Sequence, residues 1–189
     1  MNPFQALYDA QKAYSASNIT HTYEWPIEQL DRMARMITEN EADLQRAIAR
    51  DFKTARQEYV FETPAELGEI AFQKSQLKGW MEPIEVPVPK FLAKTGHRAF
   101  VYREPYGVAL IIAPFNGPLT LLIRPALTAL AVGNTCVLKL SGALTATSGL
   151  LLELFPQYFD SRAVVAVTSQ REEVTDLLNL PFDFIFFHR

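Results

Sequence analysis

Apolar and polar positions follow two different rhythms in the two halves of the chain. In the first half, apolar residues recur at the three- and four-residue spacing of a helix, and charged residues fill the positions between them. The apolar positions of the most regular stretch are Ile27, Leu30, Ala34, Ile37, Leu44 and Ile48. This pattern predicts one helical segment over residues 27–48, preceded by a helix that starts at Asn2 and Pro3 and runs towards Tyr14.

A third helix has the clearest start signal in the chain. Thr63 stands as an N-cap, Pro64 occupies the first turn, and Glu66 is the capping-box partner of Thr63. Apolar residues then continue at helical spacing as far as Met81. The first 81 residues are therefore predicted to form a helical lead-in, in which these side chains serve packing.

Residues 82–104 break the helical pattern. Three prolines around Val86 and Val88 argue against a central strand, and residues 94–97 have the composition of a turn. Residues 100–102 favour an extended conformation. We therefore predict an exposed antiparallel ribbon, whose edge either faces solvent or pairs with a partner.

From Tyr106 onward, short apolar runs alternate with helical patterns. The predicted strands are 108–115, 135–140, 163–168 and 184–187, and the predicted helices are 118–134, 145–155 and 171–180. One helix contains Pro125, which is expected to kink it or remove a hydrogen bond, and it stops at Gly133 and Asn134. Such alternation predicts an α/β fold in which residues 105–189 form a partial parallel, Rossmann-like sheet of about four strands.

Composition narrows the possible functions. The formal net charge of −3 gives no electrostatic case for nucleic acid or anionic membranes, and no apolar run approaches the length of a membrane span. The polar start of the chain does not resemble a signal peptide. One cysteine excludes an internal disulfide and fits a reducing compartment, so a cytoplasmic location is expected.

Two polar residues stand where the predicted strands end, which is where ligands bind in open parallel sheets. Neither a dinucleotide-binding G-x-G-x-x-G nor a phosphate-binding G-x-x-x-x-G-K-[ST] is present. The amide of Asn116 is a donor for a developing oxyanion or a cap of the next helix, and the pattern alone favours the cap. Lys139 could bind ribose hydroxyls or a phosphate. The alternative is that its aliphatic stem simply packs on the strand end, and the pattern alone favours this alternative.

The other candidate chemistry is weak. Cys136 lies in an apolar run with no histidine near it, so a small core residue is favoured over a nucleophile. The three histidines, His21, His97 and His188, do not have the spacing of metal ligands, and no metal site is predicted.

Residues 102–142, YREPYGVALIIAPFNGPLTLLIRPALTALAVGNTCVLKLSG, resemble the aldehyde dehydrogenase superfamily. That family typically reads E-P-x-G-V-x-x-x-I-x-P-W-N-[FY]-P and then A-x-G-N-x-x-V-x-K-P-S-E. Residues 57–83 and the ribbon PVPKFL resemble its class 3 branch, which includes fatty and aromatic aldehyde dehydrogenases. The resemblance implies an NAD(P)-dependent oxidation of aldehydes to carboxylic acids.

The resemblance also implies roles for particular residues. Asn116 matches the asparagine that helps to hold the oxyanion of the thiohemiacetal, and Lys139 matches the lysine that contacts the adenine ribose. The segment along which the nicotinamide cofactor lies is matched by Ile112, Ala113, Pro114 and Phe115. Residues 86–104 resemble the strands through which family members oligomerise.

Several positions depart from the family pattern. Phe115 replaces tryptophan, Gly117 an aromatic residue, and Leu140 a proline. Gly142 replaces a glutamate that often binds the ribose hydroxyls, which removes an acceptor for NAD and also a repulsion against the 2′-phosphate of NADP. The cofactor is therefore expected to be NAD or NADP.

The chain is expected to be an amino-terminal portion of such an enzyme. In the family, the catalytic cysteine and the general-base glutamate lie downstream, so an aldehyde substrate is expected only in a complete enzyme. The final FIFFHR matches the family's fourth strand until His188 and Arg189 replace Thr-Gly-Ser, as a frameshift in a T-rich run would produce. The alternatives are a nucleotide-binding or oligomerising regulatory module that pairs with a full-length subunit, or a fragment without its own function whose exposed edge strand self-associates.

Overall fold

A computed structural model describes residues 2–52, 62–168 and 171–188. The first part contains helices α1 (Gln5–Ala16), α2 (Glu24–Glu39), α3 (Glu41–Phe52) and α4 (Glu62–Met81), with a 3₁₀ turn at Ile19–His21. The middle part contains β1 (Ile84–Val86), the short α5 (Lys90–Ala93) and β2 (Ala99–Val101). The last part alternates β3 (Val108–Ile112), α6 (Thr120–Ala131), β4 (Thr135–Lys139), α7 (Thr145–Tyr158), β5 (Val164–Val167), α8 (Arg171–Leu178) and β6 (Phe184–Phe187). Residues 57–61, which carry part of the family resemblance, and Arg189, which belongs to the frameshift interpretation, lie outside the described residues.

The four longer strands form one parallel sheet in the order β5-β4-β3-β6. This arrangement confirms the predicted α/β fold with a parallel, Rossmann-like sheet. In its register, Ile112 of β3 lies beside Lys139 of β4, and Lys139 lies beside Val167 of β5. The carboxyl ends of these three strands therefore meet in one row.

The two faces of the sheet are covered by different helices, because successive side chains of a strand point in opposite directions. Ala109, Ile111 and Leu138 belong to a large core together with buried residues of α2, α6 and α7. Leu110 and Val137 point to the other face, into a smaller cluster with residues of α1 and α8. The helical lead-in is thus part of the core on both faces of the sheet.

Helix α1 is attached to the sheet by polar contacts as well as by packing. The buried Gln11 amide donates to the backbone carbonyls of Cys136 and Ser161, both at 3.0 Å. The Tyr8 hydroxyl donates to the carbonyl of Pro181 at 2.8 Å. Each of these bonds satisfies a backbone group that would otherwise be costly to leave unpaired away from water.

The prediction of a single helix over residues 27–48 is wrong, because the helix is interrupted at Asn40. The side-chain amide of Asn40 donates to the carbonyl of Met36 and to the Tyr158 hydroxyl, both at 2.9 Å. An asparagine that satisfies the last turn of α2 in this way ends that helix, and α3 begins at Glu41. The apolar spacing continues across this break, which is why the pattern did not reveal it.

The assignment of Thr63 as an N-cap with Glu66 as its partner is also wrong. Thr63 already lies within α4, and its hydroxyl donates to the Glu41 carboxylate at 2.7 Å. Glu66 is fully buried and instead accepts a hydrogen bond from Arg124 of α6. Contacts between helices have replaced the local capping box in both cases.

The predicted ribbon is confirmed, since β1 and β2 pair antiparallel. The turn after Lys94 is confirmed as well, with Gly96 at a φ of +82°. The short α5 between the strands was not predicted. Helix α6 begins at Thr120, two residues later than predicted, and ends just before Gly133, whose φ is +88°.

None of the helices in the described part of the chain combines the length and the apolar character needed to cross a bilayer.

Gly107 joins the ribbon to β3 in a conformation that other residues rarely adopt. Its φ is +131°, and a Cβ atom at this position would lie 2.3 Å from Oδ2 of Asp183. Its backbone N–H donates to the Asn134 side chain at 2.9 Å. Neither the backbone nor Asp183 is free to move, because Asp183 also accepts from the Val108 N–H at 2.8 Å and from Lys12.

We expect Gly107→Ala to lower the free energy of unfolding by about 1–3 kcal/mol, since it adds both backbone strain and a clash. Urea denaturation followed by circular dichroism measures the effect. Gly149→Ala is the matched control, because Gly149 lies in α7 with no atom within 4 Å of the added methyl group. The control should be neutral or slightly stabilising; equal stability of the two variants would contradict the strain argument.

Candidate functional site

The predicted cofactor segment leaves the sheet at the carboxyl end of β3. Ile112 and Ala113 are still buried, Pro114 is half-buried, and the Phe115 side chain is 56% exposed. The segment therefore passes from the core to the surface within four residues. This position, beyond the carboxyl end of a parallel strand, is where the fold class places ligands.

Lys139 ends the neighbouring strand at the same edge. Its side chain is half-buried, and burial lowers the pKa of its ammonium group. Within residues 2–52, 62–168 and 171–188 it has no hydrogen-bond or ion-pair partner. The structure thus places an uncompensated cationic group in the row that contains Ile112 and Val167.

Asn116 lies in the exposed loop between β3 and α6. The idea that it caps α6 is wrong, because the N–H groups of Leu119 and Thr120 both donate to Oε2 of Glu62, at 2.8 and 3.0 Å. The Asn116 amide makes no hydrogen bond to the described part of the chain. Its role as an oxyanion donor stays a prediction.

A second carboxylate caps the next crossover helix in the same manner. Asp51 accepts hydrogen bonds from the N–H groups of Ala146 and Thr147 at the start of α7, at 2.9 and 2.8 Å. Glu62 and Asp51 both come from the helical lead-in and occupy positions where Rossmann-type proteins often bind phosphate. Sequence reasoning missed both residues, since nothing local relates them to helices about 60 and 95 residues further along the chain.

Beside the Glu62 cap lies a second buried acid. Oε1 of Glu66 accepts from the Arg124 guanidinium at 2.9 Å, while its Oε2 has no partner in the described part of the chain. Burial raises the pKa of both Glu62 and Glu66, although Arg124 opposes the rise at Glu66. Both acids therefore contact α6, Glu62 through the N–H groups at its start and Glu66 through Arg124.

Cys136 is confirmed as a core residue. It is fully buried in β4, and burial raises the pKa of its thiol far above the usual range. A thiol of this kind does not form the thiolate that attacks a carbonyl. Across the described residues, no three side chains of the His, Cys, Asp and Glu types come together as metal ligands.

A groove of about 500 Å³ lies elsewhere, between α6 and the strands β3 and β6. Its walls include Tyr106, Ile111, Leu121, Phe184 and Phe186. None of the predicted cofactor or catalytic residues lines it. The groove and the row of strand ends at Lys139 are therefore separate features.

Comparison with known proteins places these features in a family. The model of the aldehyde dehydrogenase family matches residues 4–181. A 4,4′-diaponeurosporen-aldehyde dehydrogenase of Staphylococcus aureus is 32% identical over 184 residues, which cover 97% of this chain and 39% of that protein. Human aldehyde dehydrogenase family 3 member B1 is 38% identical over 169 residues, which cover 89% of this chain and 36% of that protein.

Solved structures share the fold. The substrate-bound state of Staphylococcus aureus AldH superposes with a TM-score of 0.92 at 30% identity, over 99% of this chain and 41% of that one. The glyceraldehyde-3-phosphate dehydrogenase GapN of Methanocaldococcus jannaschii, complexed with NADP, gives a TM-score of 0.77 at 20% identity, over 97% of this chain and 40% of that one, and shows the fold alone. The chain spans about two-fifths of the length of the curated relatives it matches.

The buried acid Glu66 gives the protein a pH dependence of defined sign. Because its pKa is raised in the folded state, the folded protein retains this proton at pH values where the unfolded chain has lost it. The stability due to this group is present below its unfolded pKa, about 4.3, and falls as the pH rises through the folded value.

We therefore expect wild-type protein to lose stability relative to Glu66→Gln as the pH rises from about 4 towards 7. Urea midpoints of both proteins, measured at several pH values in this range, test the prediction. Glu82→Gln, at an exposed position, is the control substitution. A wild-type stability that stays constant relative to that of Glu66→Gln, or that increases relative to it as the pH rises, would count against the prediction.

Proposed function

The chain belongs to the aldehyde dehydrogenase family, and we propose that it supplies the cofactor-binding side of an NAD(P)-dependent aldehyde oxidation site. The observation that carries this proposal is the half-buried ammonium of Lys139, which lies at the carboxyl edge of the parallel sheet and has no partner in the described part of the chain. A cation in this position gains a favourable partner when hydroxyl or phosphate oxygens of a nucleotide bind beside it.

The capped helices make Lys139 more important for recognition. Helix N-termini often bind the phosphates of a dinucleotide, but here the first N–H groups of α6 and α7 are paired with Glu62 and Asp51. Positive charge for a nucleotide must then come from side chains. We infer that Lys139 contacts the adenosine half of the cofactor. Residues 112–115, which begin at the end of the adjacent strand β3, would then lie along its nicotinamide half.

Gly142 bears on the choice of cofactor. It is exposed, and no atom lies within 4 Å of the place where a Cβ would stand. Where the family often has a glutamate, this chain therefore has open space. The missing carboxylate would have accepted hydrogen bonds from the ribose hydroxyls of NAD, and it would have repelled the 2′-phosphate of NADP. We infer that the site accepts NADP as well as NAD.

Bound NAD(P)⁺ would supply the hydride acceptor of the reaction. The part assigned to this chain is to position that acceptor along residues 112–115 and to donate a hydrogen bond from the Asn116 amide to the developing oxyanion. The exposure of Asn116 and the absence of a competing partner in the described part of the chain are consistent with this role.

The 189 residues by themselves are proposed to be catalytically incompetent. The family reaction begins with attack of a thiolate on the aldehyde. Cys136 is the single cysteine of the sequence, and it is fully buried. The nucleophile must therefore come from polypeptide outside these residues.

A second candidate function is a regulatory module that pairs with a full-length subunit through the ribbon. The supporting observation is the exposure of large side chains around β1 and β2, among them Phe91, Phe100 and Tyr102. Such a module need not bind nucleotide. The two candidate functions therefore differ in whether Lys139 contacts a bound nucleotide.

We expect Lys139→Met to weaken NADH binding about tenfold or more, because a charge-assisted hydrogen bond is worth about 1.5–3 kcal/mol. Fluorescence titration of the purified chain with NADH measures this affinity. Lys94→Met, which removes an exposed lysine in the ribbon turn, is the matched control and should bind as wild type does. If wild-type protein fails to bind NADH, or if both variants bind equally well, the cofactor-binding proposal is wrong and the regulatory module is favoured.

The purified 189-residue chain should show no turnover of aliphatic or aromatic aldehydes with NAD⁺ or NADP⁺. The assay is the absorbance of the reduced cofactor, with a complete family enzyme as positive control. Activity that co-purifies with a chain of verified mass would show that a group other than a cysteine thiolate serves as nucleophile.

A further inference from the structure

Gly117 joins Asn116 to the first turn of α6. The Leu121 N–H donates to the Gly117 carbonyl at 3.0 Å. The Leu121 side chain lies against the same glycine, since a Cβ atom on Gly117 would stand 2.8 Å from Cγ of Leu121. Gly117 is buried, whereas Asn116 is exposed. The backbone that carries the Asn116 amide is therefore attached to α6 at the adjacent residue.

The first N–H groups of α6 have partners of two kinds. The Leu122 N–H bonds within its own turn, to the Leu119 carbonyl at 3.1 Å. The N–H groups of Leu119 and Thr120 instead donate to Oε2 of Glu62, at 2.8 and 3.0 Å. One oxygen atom of the distant helix α4 thus satisfies two donors at the point where the loop becomes helix.

Pro125 makes the first turn of α6 more dependent on this contact. Proline has no N–H group, so the Leu121 carbonyl receives no bond from the residue four positions further along the helix. At the same place the Thr128 hydroxyl donates to the Arg124 carbonyl at 3.1 Å, which competes with the bonds of the helix itself. The first turn is consequently tied less firmly to the rest of α6, and contacts from outside the helix matter more.

The other contacts of this part of α6 lie further from the loop. Leu122 is buried in the large core, and the Arg124 guanidinium donates to Glu66 at 2.9 Å. These contacts hold the helix against α4 and the sheet. Glu62 differs from them, because it binds the backbone at the junction between the helix and the loop that carries Asn116.

The Asn116 side chain relies on its backbone for its position. Its amide makes no hydrogen bond to the described part of the chain, so none of these residues orients it directly. A donor that stabilises a developing oxyanion must nevertheless be held close to its productive position before the reaction begins. The backbone at Asn116 and Gly117 must therefore be well ordered for such a role.

We propose that Glu62 is a positioning residue for the Asn116 amide. The inference rests on the proposed function, in which that amide donates to the oxyanion. Glu62 acts through α6: it orders the backbone at the start of the helix, and the contact between Gly117 and Leu121 extends this order to Asn116. Asp51 caps α7 in the same manner but beside the other loop, so it has no such effect on Asn116.

Backbone ¹⁵N relaxation of the purified chain tests the proposal, because NMR order parameters report motion residue by residue. In wild-type protein the N–H groups of Asn116 and Gly117 should have the order parameter of rigid backbone, about 0.85. Glu62→Ala removes the acceptor and should lower both values below about 0.6, whereas Glu62→Gln keeps one oxygen acceptor and should lower them less. Asp51→Ala is the matched control: it removes the equivalent cap of α7, so it should mobilise residues 145–147 and leave Asn116 as in wild type.

A Glu62 that served stability alone would lower the urea midpoint of its variants and leave Asn116 and Gly117 as ordered as in wild type. That result, in every Glu62 variant that circular dichroism shows to be folded, would overturn the proposal. An Asp51→Ala variant that loosens Asn116 as much as the Glu62 variants do would overturn it as well, since the effect would then be general.

NADH titration of the same samples keeps this outcome separate from the proposed function. The Glu62 variants should bind NADH as wild type does, because Lys139 lies on a different strand end. A wild-type chain that does not bind NADH would count against the cofactor-binding function, while the order parameters would still decide whether Glu62 positions Asn116.

Discussion

The carboxylates of Glu62 and Asp51 are the contacts on which the arrangement of the site depends. Each accepts two backbone N–H groups at the start of a crossover helix, and these groups would otherwise be left without a partner in a partly buried position. They join the helical lead-in to the α/β part more specifically than apolar packing does. They also position the two loops that follow β3 and β4, which contain Asn116 and Gly142.

These same contacts alter how a nucleotide can be recognised. A carboxylate at a helix N-terminus uses the partial positive charge that phosphate uses in many dinucleotide-binding proteins. Lys139, whose ammonium group has no partner in the described part of the chain, then offers a positive group at the carboxyl edge of the sheet, and burial lowers its pKa. The chemistry of the site and the packing of the lead-in are therefore coupled through two acids that do not touch the cofactor segment.

Local signals were reliable wherever the deciding interaction was local. The strands around Leu110 and Val137, the helix stop at Gly133 and the turn at Gly96 all followed from residue type and spacing, because steric limits on φ and apolar alternation act within a few residues. Predictions failed where a distant partner competed. Thr63 bonds Glu41 rather than its own helix, and the amide of Asn40 contacts Tyr158 of α7.

The sequence by itself determined the α/β order, the family resemblance and the positions of Asn116 and Lys139 at strand ends, since these depend on patterns within one stretch of chain. Tertiary structure alone decided that Glu62 rather than Asn116 caps α6, that Lys139 has no partner in the described part of the chain, and that β3 lies between β4 and β6. Strand order and pairing across 60 to 100 residues depend on which surfaces meet when the core closes, and no local pattern encodes that choice.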